Sequence, residues 1–89
     1  MRLDLFLKAS RLCLRRTVAQ QLCEAGRVAV NGTRAKSSRA VQVGDEITLR
    51  RGTRSLTLRV LAVPTSRQTS RNDAPGLYEI MNAATMNDE

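Results

Sequence analysis

Apolar residues recur along the chain with two different periods, and the period changes near Gly26. In the first part, Leu3, Phe6 and Leu7 fall at i, i+3 and i+4 and make one stripe, which predicts a helix over residues 2–9. Asp4 sits in its first turn, where a negative charge suits the helix dipole. Residues 10–16 read as a connection, with Leu12 and Leu14 expected as inward anchors. Val18, Ala19, Leu22 and Cys23 form the apolar face of a second helix. Thr17 is its expected N-cap, with Gln20 three residues on completing a capping box. Gly26 is the expected left-handed residue just past its end. The two helices make a helix–turn–helix-like pair.

From Arg27 the period becomes two. Val28 and Val30 alternate with polar or small residues, and Asn31-Gly32 is the strongest short hairpin signal. A return strand is predicted over residues 33–36, and a further strand and turn over residues 41–45. Residues 46–51 form a strand with Ile47 and Leu49 inward, and Gly52 marks a turn. Leu56, Leu58, Val60 and Ala62 make one face of the next strand, which Pro64 ends. Residues 65–76 form a polar loop, 77–81 a terminal strand and 82–89 a flexible tail. The expected architecture is therefore α+β: two short helices followed by a small antiparallel sheet, with residues 1–64 as the folded domain.

Charge sharpens this picture. The chain has 89 residues and a net charge of +7. Residues 1–44 hold nine basic and two acidic side chains, whereas residues 45–89 hold six of each. A basic surface segregated in this way is the footprint of a polyanion partner. There is no histidine, so the commonest metal ligand and the commonest general acid–base group are both missing. Cys13 and Cys23 are expected as small packing residues. No metal, cofactor or catalysis is expected, and the chain lacks both a signal-peptide pattern and a membrane-length apolar run. A soluble, cytoplasmic chain acting as a monomer is the expectation.

Arg15 and Arg16 stand directly before a helix N-terminus, where the dipole disfavours positive charge. An occupying phosphate relieves that conflict. Arg11, Arg15 and Arg16 supply guanidinium forks, and the helix start supplies backbone N–H donors. The alternative is a set of ordinary solvated arginines. Arg16 is expected to be exposed, so that its removal would spare the fold. With Phe6 and Tyr78 as its only aromatic residues, the chain has no stacking platform for single strands. Structured RNA, recognised through phosphates and shape, fits better. A DNA-binding helix–turn–helix protein and a pure protein-interaction domain are the competing readings.

The order RLD-x-FLK, SR-x(3)-RRT, GRV-x-VNG, K-x-S and VGDEI over about residues 1–49 resembles the S4-type RNA-binding domain. With nothing appended, the chain is similar to the heat-shock-protein-15-like subfamily, in its short ribosome-associated quality-control form. That resemblance implies binding to rRNA of stalled large ribosomal subunits that hold peptidyl-tRNA. It also implies support of C-terminal tailing of the nascent chain, beside a tRNA-recruiting protein. It carries the RNA-facing role onto Arg2, Lys8, Arg11, Arg15, Arg16, Thr17, Gln20 and Lys36. Leu5 departs from the pattern, since many relatives have a further lysine there.

Overall fold

The computed structural model describes residues 1–64 and 74–85. Helices α1 (Leu3–Ala9) and α2 (Arg16–Glu24) precede strands β1 (Val28–Val30), β2 (Thr33–Arg34), β3 (Glu46–Arg51), β4 (Arg54–Val60) and β5 (Tyr78–Thr85). A 3-10 turn, Ala74–Leu77, leads into β5. The strands form one antiparallel sheet in the order β2-β1-β3-β4-β5. This is the α+β arrangement that the two periods predict. No helix among the described residues is long and apolar enough to cross a membrane.

The helices cover one face of the sheet. Leu3, Phe6 and Leu7 of α1 are fully buried, and they join Val28, Ile47, Leu58 and Val60 in a single core. The opposite face is polar, with the hydroxyls of Thr48 and Thr57 3.3 Å apart across β3 and β4. One-sided burial is what gives the strands their alternating pattern.

Turn chemistry follows the expected residues. Asn31 and Gly32 both have positive φ, 53° and 83°, as a type I′ hairpin turn requires. The Asn31 amide then ties this hairpin to β3: its oxygen accepts the Glu46 N–H at 3.0 Å, and its nitrogen donates to Asp45 at 3.2 Å. Gly26 closes α2 with φ 74°. The Arg27 N–H donates to the Leu22 carbonyl and the Gly26 N–H to the Cys23 carbonyl, the two bonds of a Schellman motif. Arg34 adds a cationic cap, Nη2 donating to the Glu24 carbonyl at 2.7 Å. A Cβ on Gly26 would lie 3.2 Å from the Arg34 guanidinium. Gly26→Ala is therefore expected to cost about 1–2 kcal/mol, from the left-handed backbone alone. Chemical denaturation reads this as a lower midpoint at unchanged slope.

Several local expectations need correction. Leu14 is not an inward anchor but is 80% exposed. Ser10 and Cys13 are the buried residues of the connection and Leu12 packs partly buried against the core, with the backbone turned by Arg11 at φ 65°. Helix α2 starts at Arg16, with Arg15 as an N-cap that makes no side-chain bond, so no Thr17 capping box forms. No strand covers residues 41–45. The backbone there serves loops instead, Val41 N–H donating to Met1 and Gln42 N–H to the Asp45 carboxylate. The return strand β2 ends at Arg34, and β4 ends at Val60 with Ala62 exposed. Strand β5 runs to Thr85, beyond the expected end at residue 81, because Asn82 to Thr85 pair with Arg54 to Thr57 of β4. Most of the expected polar loop, residues 65–73, lies outside the described residues.

Candidate nucleic-acid interface

Asp4 organises the site. It lies among the apolar residues of α1, and its side chain is completely buried. Its carboxylate accepts five hydrogen bonds. Oδ1 takes the Leu5 N–H at 2.8 Å and Arg2 Nε at 3.2 Å. Oδ2 takes Arg2 Nη2 at 3.2 Å, Arg16 Nε at 3.1 Å and Gln20 Nε2 at 3.0 Å. Burial pushes the Asp4 pKa up. The hydrogen bonds from Gln20, Arg16 and Arg2, with the charge of Arg16, outweigh that and hold it below the ordinary aspartate value.

The clasp joins the starts of both helices. The N-terminus of α1 is satisfied from several sides: Leu3 N–H donates to the Arg39 carbonyl at 2.8 Å and Asp4 N–H to the Ser37 carbonyl at 3.1 Å. The Leu5 N–H donates to the Asp4 carboxylate. Helix α2 has no acidic residue in its first turn and no side-chain cap, so its N-terminal end keeps its positive character. Arg16 reaches Asp4 through Nε, which leaves both Nη groups of its guanidinium outside the pair.

Three of the eight expected residues, Arg2, Arg16 and Gln20, therefore come together on one carboxylate. Arg15 and Thr17 are exposed at the start of α2, and Lys8 and Arg11 are exposed at the end of α1 and in the connection. Lys36 lies apart from that end. It lines a shallow cleft with Cys23 and Glu24, at the C-terminal end of α2. Arg16 is not freely exposed as expected: its side chain is 38% accessible and anchored. Asp4 is the residue that sequence reasoning undervalued. Its signal was a carboxylate within an apolar helical stripe, three residues before Leu7, in an arginine-rich chain.

The cysteines take no part in this chemistry. Both are free and buried. Burial raises the Cys13 thiol despite the opposing charge of Arg51. Burial, then the charges of Asp4, Cys13 and Glu24, push Cys23 up to about 11. Protonated thiols pack as small apolar groups.

A family model described as "S4 domain" matches residues 1–47, which contain α1, α2 and the β1–β2 hairpin. The chain is 46% identical over 81 residues to the RQC P-site tRNA stabilizing factor of Streptococcus pneumoniae, covering 91% of this chain and 90% of that one. The factor of the same name from Bacillus subtilis is 42% identical, covering 91% of this chain and 92% of that one. The trimeric structure of Vibrio cholerae heat shock protein 15 superimposes with a TM-score of 0.82 at 36% identity, covering 91% of this chain and 81% of that one. With the matched domain holding the Asp4 clasp and likeness to such factors extending over nine-tenths of the sequence, the chain belongs to the S4-domain family.

Proposed function

We propose that the chain binds structured RNA on stalled large ribosomal subunits and steadies the P-site tRNA during ribosome-associated quality control in the bacterial cytoplasm. The Asp4 clasp carries this reading. It holds Arg2 and Arg16 beside an uncapped helix start, with Arg15 and Thr17 exposed next to them. Preset guanidinium forks and helix amides suit phosphate oxygens. Lys8, Arg11 and Gln20 extend the surface along the helices, and Lys36 adds a separate exposed cation beside the C-terminal end of α2. The names of the relatives point to P-site tRNA, and the S4 domain fits an RNA ligand.

Each of these residues binds or orients, so the chain acts by occupancy, without catalysis. It stabilises the geometry in which a tRNA-recruiting partner supports tailing of the nascent chain. One copy presents the whole clasp, so a monomer suffices. The DNA reading is weaker, because α2 has only three exposed residues, Thr17, Gln21 and Glu24, and its one arginine is held on Asp4.

Gradient sedimentation with stalled large subunits tests the proposal. The chain should co-migrate with them, and structured RNA should compete better than duplex DNA. With about five phosphates neutralised, log K should fall against log salt with a slope of roughly −3 to −5. Failure to co-migrate under stalling conditions, or a preference for DNA, overturns it.

A further inference from the structure

The hairpin joining β3 and β4 carries an arrangement that the helix face does not explain. Arg51 and Arg54 are directly opposite each other in the antiparallel register. Like charges in that position repel and destabilise a hairpin. Neither makes an ion pair or side-chain hydrogen bond among the described residues.

Their side of the ribbon is decisive. Strand alternation places Arg51 on the face of Ile47 and Leu49, and Arg54 on the face of Leu56 and Leu58. That is the helix-covered face. The ribbon overhangs the core by one cross-strand pair, and the overhang is the two arginines. Beneath them lies an open cleft of about 460 Å³ with Leu12, Leu49, Leu56 and Ala83 along its floor. Leu12 belongs to the α1–α2 connection, which also carries exposed Arg11, Leu14 and Arg15. The cleft thus adjoins the helix face.

An apolar floor under two guanidinium forks matches one chemical unit: a phosphodiester joined to a nucleoside. We infer that this cleft takes an unpaired nucleotide of the bound RNA, its phosphate bridged by Arg51 and Arg54 and its nucleoside lying on Leu12 and Leu56. The phosphate, with one negative charge, bridges the opposed pair and relieves its repulsion, while the apolar floor takes the nucleoside in a chain with few aromatics. The volume lies in the range of small-ligand sites. This rests on the RNA-binding reading above and adds a second contact that continues the RNA path from the helices onto the sheet.

The test uses the whole chain with Arg51→Gln and Arg54→Gln together, and Arg15→Ala as a separate variant on the helix face. Binding to large ribosomal subunits is measured against salt. The double variant should bind at least roughly tenfold more weakly at moderate salt, with a slope flatter by about 1, the share of one phosphate. Its melting temperature should stay unchanged or rise, because a repulsive pair has been removed. Wild-type affinity and slope in the double variant, with Arg15→Ala impaired, overturn this inference alone. Absence of RNA binding by the wild-type chain overturns both readings. Binding of polyglutamate that depends on Arg51 and Arg54, while RNA binding does not, makes the cleft a protein site and also overturns it.

Discussion

Asp4→Asn is expected to weaken RNA binding although it makes the chain more positive. Asp4 accepts five hydrogen bonds, two on Oδ1 and three on Oδ2. An asparagine has one acceptor oxygen, and its NH2 group would face guanidinium donors. At least one side of the clasp must open. Breaking a buried pair by removing one partner costs about 3–5 kcal/mol. Arg2 and Arg16 keep 43% and 38% of their side-chain surface accessible and can turn to water, which puts the cost near the lower end. That is a large share of the roughly 5–15 kcal/mol that stabilises a small domain.

The effect on binding separates two accounts of the site. If charge alone mattered, removing an acid would tighten binding. If the clasp presets the arginines, freeing them restores the side-chain entropy that phosphate must then remove, about 0.5–1.5 kcal/mol for each ordered side chain. Affinity should fall roughly tenfold at a salt slope that does not fall. Tighter binding by Asp4→Asn would sink the clasp account. Acid gives an independent handle. The folded pKa of Asp4 is lowered, so its stabilisation is complete above the unfolded aspartate value of about 3.9 and is lost as pH falls through the lower folded value. The wild-type chain should lose stability below about pH 4, and the variant should lose less over the same range.

The sequence reveals local geometry well and this clasp hardly at all. The hairpin at Asn31-Gly32 and the helix end at Gly26 are legible because the chemistry that forms each lies within a few residues. The buried strand faces are legible because a one-sided sheet imposes a period of two. Leu14 misleads because Arg11 takes a left-handed turn, which propensity does not anticipate for arginine. The far end of β5 is polar and small, and pairing with β4, not hydrophobicity, keeps it extended. Asp4 meets Arg16 and Gln20 across separations of 12 and 16 residues, so only the packing of α1 on α2 brings them together. Arg2, Arg16 and Gln20 could be nominated from the motif resemblance, but their shared partner could not. The opposed Arg51 and Arg54 likewise emerge only once the register of β3 and β4 is fixed.

Arg16 shows how much of this site depends on shape. It spends Nε on Asp4 at 3.1 Å and keeps its two Nη groups for a ligand. A lysine carries the same charge on one nitrogen and cannot hold the carboxylate and a phosphate in the same fork geometry. Arg16→Lys should therefore lose most of the affinity that Arg16→Ala loses, with a smaller loss of stability, because an ammonium can still pair with Asp4. Charge-assisted hydrogen bonds are worth about 1.5–3 kcal/mol. Losing the phosphate contact thus predicts a fall of roughly ten- to a hundredfold for alanine. Arg15→Ala is the control for bare charge. It removes the same unit of charge from an exposed N-cap that makes no capping bond, and it should leave stability unchanged. Binding and melting measured on all three variants decide the matter. If Arg16→Lys binds as the wild type does, position 16 contributes charge alone, and the fork geometry has no part in recognition. If lysine fails where alanine fails while Arg15→Ala loses only its salt-dependent share, the guanidinium that bridges Asp4 and phosphate is the centre of the RNA contact.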